Sequence, residues 1–182
     1  MVFQIEAGMI QPARWVPSPN FSARPDSQDI NLLVIHNISL PPGEFGGGFV
    51  EAFFQNTLDS SQHPYFAQIA DLRVSAHCFI NREGEVIQCV NLLHRAWHAG
   101  VSVFAGRENC NDYSIGIELE GTDDVAYSPQ QYQALAALTG SIMASFPAIS
   151  RRRIVGHSDI APGRKTDPGC AFDWAYFHQL LA

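Results

Sequence analysis

The sequence predicts an α/β fold, one β-sheet with helices packed on it. Three observations carry that expectation. Apolar runs of strand length recur at residues 31–38, 113–120 and 152–157. Residues 73–90 read as a hairpin closed by a Gly-containing turn. Residues 128–146 carry a helical pattern with a start signal and a stop signal. A chain of 182 residues suits a single domain, 1–182, with an N-terminal arm over about residues 1–29.

Taken in order, "RWVPSPNFSARPDS" (14–27) is interrupted by prolines and reads as irregular. "NLLVIHNI" (31–38) is a short apolar run, as expected of a buried strand, and "LPPGEFGGG" (40–48) breaks the chain after it. "FVEAFFQNTLD" (49–59) has helical apolar spacing. "RVSAHCFI" (73–80) and "VIQCV" (86–90) flank the turn "NREGE". In "YSIGIELE" (113–120), Ile115, Ile117 and Leu119 alternate with Gly116, Glu118 and Glu120. Ser128, Pro129 and Gln131 supply a cap, a first-turn proline and a capping box for the helix that Pro147 ends. "RRIVGH" (152–157) reads as a strand and "FDWAYFHQLL" (172–181) as a closing helix with Asp173 near its start.

Hydrophobic residues make up 46% and charged residues 16%, enough to build a core and too little charge for a disordered chain. The net charge of −7 argues against nucleic acid and anionic membranes as partners. Its one basic cluster, Arg151–Arg153, reads as solvated loop. No apolar run approaches the roughly 18 residues of a membrane span. The first residues lack the basic and apolar regions of a secretory leader. A monomer in the cytoplasm is the expectation. Of the four cysteines, none form a CxxC pair, and reduced thiols are expected, with Cys78 and Cys89 in the core.

Seven histidines are present. His63, His94 and His178 read as loop or surface residues. His36 closes an apolar strand before a Gly/Pro-rich loop, and His157 follows "RIVG" in the same setting, where sheet proteins place chemistry. Asp167 lies ten residues beyond His157. Two imidazoles and a carboxylate would leave zinc a fourth position for water, although the scattered spacing alone carries little weight. A hydrolytic metal site also uses a carboxylate base and a cation near the developing oxyanion. Glu118 and Glu120, on one strand face, are candidates for the first, and Lys165 for the second.

Six segments, "VIHNISLPPGEFGGG", "HPYF", "LRVSAHCFI", "RAWHAGVS", "CNDYSIGIELEGTD" and "GHSDIAPGRKTDPG", occur in one order. Together they resemble the zinc N-acetylmuramoyl-L-alanine amidases, over about Trp15 to Trp174. Within that family, which is related to phage lysozyme-type amidases and peptidoglycan recognition proteins, they resemble the branch that acts in peptidoglycan recycling. The resemblance implies a central mixed β-sheet flanked by helices, with zinc bound by His36, His157 and Asp167. It implies Glu118 rather than Glu120 as general base and Lys165 as the oxyanion-stabilising cation. Tyr65 would lie near the metal, and Asn37, Arg73 and Trp97 would contact substrate. His77 and His98 would line the cleft without binding metal. The implied substrate is a 1,6-anhydro-N-acetylmuramoyl peptide, cut between the lactyl group and L-Ala. Asn109 departs from the pattern, standing where relatives often have Arg. Two other readings are a non-catalytic muropeptide-binding module and a cysteine amidase using Cys110 or Cys170.

Overall fold

A computed structural model describes residues 2–181. The arm holds four short strands, β1 (Gln4–Glu6), β2 (Met9–Gln11), β3 (Arg14–Trp15) and β4 (Phe21–Ser22). Then come β5 (Leu32–Ile38), α1 (Phe49–Phe54), α2 (Pro64–Ile69), β6 (Cys78–Ile80), β7 (Val86–Gln88) and β8 (Arg95–Ala96). A small hairpin of β9 (Val103–Phe104) and β10 (Arg107–Glu108) precedes β11 (Ser114–Glu120) and α3 (Pro129–Ser145). The chain closes with β12 (Ile154–Gly156), α4 (His157–Ile160) and α5 (Trp174–Leu180).

The central sheet has the order β12-β5-β11-β6-β7-β3. β12, β5, β11 and β6 run parallel, and β6 and β7 form the antiparallel hairpin. It is a mixed sheet with helices on both faces, as expected. Strand alternation sorts the side chains. Leu33, Ile35, Ile115, Ile117 and Leu119 point to the back, where they pack with Leu135, Leu138, Ile142 and Phe177 of α3 and α5. Burying a side chain of this size contributes about 1.5–3 kcal/mol. On the front, Leu32 and Val34 pack against Tyr113 and Ile160. Phe79 and Ile87 pack there against Phe53, Phe54 and Phe66 of α1 and α2. His36 and Glu118 lie on this front face, further along the same strands.

The arm is more ordered than its prolines suggest. β3 pairs parallel with β7 at the sheet edge, and β4 pairs antiparallel with β8. Arg14 holds that edge through Glu51 at 2.7 Å and Glu85 at 2.8 Å. The helix expected over 49–59 stops at Phe54. Asn56 adopts φ 60°, and its side-chain amide pairs reciprocally with that of Asn20 at 2.8 and 2.9 Å. The strand expected over 73–80 pairs as a strand only at Cys78–Ile80, because Ser75 turns to bond Trp97 through backbone and hydroxyl. α2 was not expected. His63 caps it by accepting from the Tyr65 N–H, and Pro64 fits its first turn. His157 begins the short helix α4 rather than a loop. Arg153 leaves the solvent to bond Asn31 and lie over the Phe104 ring. His178 is half-buried and packs against Trp174 and Phe177.

α3 has the capping box its sequence implies, and both cap residues reach further. Ser128 Oγ also donates to the Arg82 carbonyl at 2.6 Å, and Gln131 Nε2 donates to the carbonyls of Ile80 and Glu120. The cap thus joins α3 to the ends of β6 and β11. Ser128→Ala should lower stability by about 1–2 kcal/mol, read as a lower urea midpoint with an unchanged m-value.

Candidate active site

Register brings the front-face groups together. His36 pairs with Glu118 across β5 and β11, and Gly156 pairs with Ile35 across β12 and β5. His157, the next residue, therefore arrives beside His36 at the C-terminal ends of three adjacent parallel strands, where open α/β sheets place ligands. Asp167 returns from the following loop, tied at its carbonyl to the Ser158 N–H.

His36 Nδ1 lies 2.9 Å from His157 Nδ1 and 3.1 Å from Asp167 Oδ2, and His157 Nδ1 lies 3.0 Å from the same oxygen. Zinc with ligand distances of about 2.0 Å would set tetrahedral ligand atoms roughly 3.3 Å apart, close to this triangle. The tautomer of His157 fits as well. Its Nε2 lies 3.0 Å from the Ala99 carbonyl, which only accepts, so the proton sits there and Nδ1 keeps its lone pair. Two imidazoles and a carboxylate are a donor set suited to zinc, and it is the one convergent group of potential metal ligands among the described residues.

Electrostatics differ sharply between the two carboxylates. Burial pushes Asp167 upward, but the adjoining imidazoles of His157 and His36 outweigh it and hold the carboxyl below its usual range. Glu118 is raised well above the ordinary carboxylate range by burial, then by the nearby Asp167 charge, with Lys165 opposing. Its Oε1 is 4.0 Å from His36 Nδ1, and its Oε2 is buried without a partner. Burial lowers His36 to about 4, with the nearby Asp167 opposing. Glu120, the other candidate base, accepts backbone N–H groups of Gly46 and Arg82 and is committed to holding loops.

A cavity of about 360 Å³ opens over the triangle, lined by Asn37, Tyr65, Trp97, His98, Glu118 and Lys165 among others. Its far wall is apolar, from Leu40, Phe53, Ile69 and Val74. Asn37 is fixed by Asp123 at 2.9 Å, and Trp97 N–H groups bond Ser75 and Ser22. Arg73 does not line this cavity. It is exposed, and its guanidinium donates to the carbonyls of Ala70 and Leu72. Asn109 is also outside, exposed at φ 57° before a turn of 3-10 helix. Cys110 is buried beside the Tyr113 hydroxyl and Cys170 is exposed; all four cysteines are free, and neither Cys110 nor Cys170 lines the cavity. A larger groove of about 850 Å³ beside the arm has only Arg14 and Glu85 as ionisable lining, and these pair with each other.

Residues 26–170 match the N-acetylmuramoyl-L-alanine amidase family. The chain belongs to that family. This amidase is 59% identical to the 1,6-anhydro-N-acetylmuramyl-L-alanine amidase AmpD of Salmonella typhimurium, over 97% of this chain and 94% of that protein. A selenomethionine-derivative crystal structure of AmpD superposes with a TM-score of 0.95 at 57% identity, covering 98% of this chain and 99% of that one. The amidase AmiD of E. coli, in complex with anhydro-N-acetylmuramic acid-L-Ala-D-γ-Glu-L-Lys, gives a TM-score of 0.60 at 28% identity, covering 98% and 65%. Among the described residues no helix is long and apolar enough to cross a membrane.

Behind the triangle lies a polar layer in which His98 reaches the cavity wall, as the resemblance implies, and His77 does not. His36 Nε2 meets His98 Nδ1 at 2.9 Å, and His98 Nε2 meets Ser114 Oγ at 3.0 Å. Deeper still, His77 Nδ1 accepts from the Gly116 N–H at 3.0 Å, so its Nε2–H donates to the His94 carbonyl at 3.0 Å. Arg24, from the arm, is buried there and donates to the carbonyls of Ser114, Leu92, Asn111 and Asp112. Burial lowers its pKa to about 10, and it stays charged at neutral pH. The sequence carried one signal of this layer. Gly116 inside a strand marks a close approach.

Burial, then the Arg24 charge, depresses His77 to about 3. A depressed histidine adds stability above its unfolded value near 6.5, and that contribution is lost as pH falls toward 3. Metal-free protein should lose up to about 1.4 kcal/mol per pH unit through this group below pH 6.5. The His77→Asn variant should show a shallower dependence of unfolding free energy on pH between 6.5 and 4, and equal slopes would refute it.

Proposed function

We propose that this amidase hydrolyses the amide joining the lactyl group of 1,6-anhydro-N-acetylmuramic acid to L-Ala of the stem peptide, with zinc held by His36, His157 and Asp167. The observation that carries the reading is the lone-pair triangle with an unpartnered carboxylate, Glu118, beside it and open to the same cavity. The substrate follows from the names of the AmpD relatives and from the muropeptide bound to AmiD. A role in peptidoglycan recycling in the cytoplasm, as a single domain, is the reading consistent with that substrate.

When bound, zinc supplies a Lewis acid for the scissile carbonyl and lowers the pKa of water toward neutrality. Glu118 takes a proton from the attacking water and returns it to the departing L-Ala amine. Burial and the Asp167 charge raise its pKa, the direction that makes a carboxylate a stronger base. Lys165 stabilises the oxyanion, a role supported by its place in the cavity lining and its electrostatic effect on both His36 and Glu118. Tyr65 and Trp97 present aromatic surface to the substrate, with Asn37 held rigid by Asp123. Arg73, outside the cavity wall, is a rim residue that can meet a carboxylate of a longer stem peptide.

Glu118→Gln should lower kcat on anhydro-muropeptide by about 10²- to 10⁴-fold with zinc content unchanged. Lys165→Ala should lower it by about 10²- to 10³-fold. Product mass spectrometry checks both, and near wild-type turnover by zinc-loaded Glu118→Gln protein would remove Glu118 as base. Chelation should abolish release of L-Ala peptides and added zinc should restore it. Thiol alkylation should leave turnover unchanged, which separates the metal reading from a cysteine amidase.

A further inference from the structure

Resting on the metal reading above, we propose that His98 is the positioning residue for His36, fixing the ring orientation and tautomer that present Nδ1 to the metal. The two rings meet edge-on at 85°, with His36 Nε2 2.9 Å from His98 Nδ1. For Nδ1 of His36 to keep a lone pair, its proton must sit on Nε2 and point at His98 Nδ1. His98 then carries its own proton on Nε2, facing Ser114 Oγ at 3.0 Å. The proton order His36 to His98 to Ser114 is complete and leaves every ring nitrogen with a partner. The reverse order would put a proton on His36 Nδ1, inside the triangle.

Two further observations show that the place for His98 is built. A Cβ on Gly116 would fall 2.5–2.7 Å from three atoms of the His98 ring, closer than real contacts allow, so the ring occupies space that only glycine leaves. The backbone is fixed as well, since the N–H groups of His98 and Ala99 both donate to Asn111 Oδ1 at 3.1 and 2.8 Å. Ala99 is the same residue whose carbonyl sets the His157 tautomer. Two consecutive residues thus serve the outer nitrogens of both imidazoles. Outer partners of this kind orient metal ligands, and their loss weakens metal binding about 10- to 100-fold. Here the partner of His36 is a neutral imidazole, so Asp167 remains the only anion among the proposed ligands.

The test is zinc affinity of the full chain, measured by competition with a chromophoric chelator, for wild type, His36→Ala, His98→Leu, His98→Asn and Ser114→Ala. His98→Leu removes the acceptor, whereas His98→Asn keeps an oxygen near the position of Nδ1. The expected result is a zinc Kd raised about 10- to 100-fold in His98→Leu, within about threefold of wild type in His98→Asn, and raised severalfold in Ser114→Ala. An unchanged Kd in His98→Leu overturns the assignment, and so does His98→Asn binding as weakly as His98→Leu, which would mean simple packing. If His98→Leu does not fold, the other two variants decide. Retained affinity in His98→Asn with loss in Ser114→Ala supports the relay, and any other pairing overturns it. Wild type binding zinc no better than His36→Ala would instead overturn the metal reading itself.

Discussion

Gly156 lies level with Ile35, and His36 level with Glu118, across three strands that run parallel and side by side. That register is the constraint on which the site depends. A slip of one residue in β11 would send Glu118 to the apolar back face and bring Leu119 into the cavity, because side chains alternate with period two. The back face resists such a slip. Ile115, Ile117 and Leu119 are buried against α3 and α5, and exposing even one would cost more than any polar contact on the front returns. The apolar core therefore sets the geometry of the polar site.

The front face is costly in its own way. His36, His77, His98 and His157 are all buried, and neutral imidazoles out of water must have partners for their nitrogens. Outside the triangle every ring nitrogen has one, from another ring, from Ser114, from the Gly116 N–H or from the carbonyls of Ala99 and His94. Arg24 completes the layer by binding four backbone carbonyls around Ser114 and His77. A satisfied network of this kind rigidifies what it touches. It also makes the arm part of the site's foundation, although none of its residues lines the cavity.

Much of the frame was legible from residues alone. The capped helix α3, the hairpin and the alternation of β11 each follow from local pattern. Local pattern failed where tertiary bonds decided the outcome. Nothing near Asn56 announces that Asn20 will pair with it and end α1, and nothing near Phe21 announces β8 as its partner. The site was legible differently. Spacing could not join His36 to His157, which are 121 positions apart; their shared strand-end setting suggested the grouping, and motif resemblance made it specific. Resemblance in turn said nothing of Ser114 or Arg24, and gave His98 no task. Those residues act through others, and their meaning appears only in three dimensions.

The distance along the chain has a consequence for how the site assembles. Asp167 follows His36 by 131 positions, so the triangle cannot form until the sheet has brought β5 and β12 side by side. Before β12 and the loop beyond it have been synthesised, a nascent chain carries His36 without His157 or Asp167. Any ion that needs all three groups can therefore be held only once these remote contacts have formed. A protein built from such remote contacts folds slowly relative to one built from neighbours.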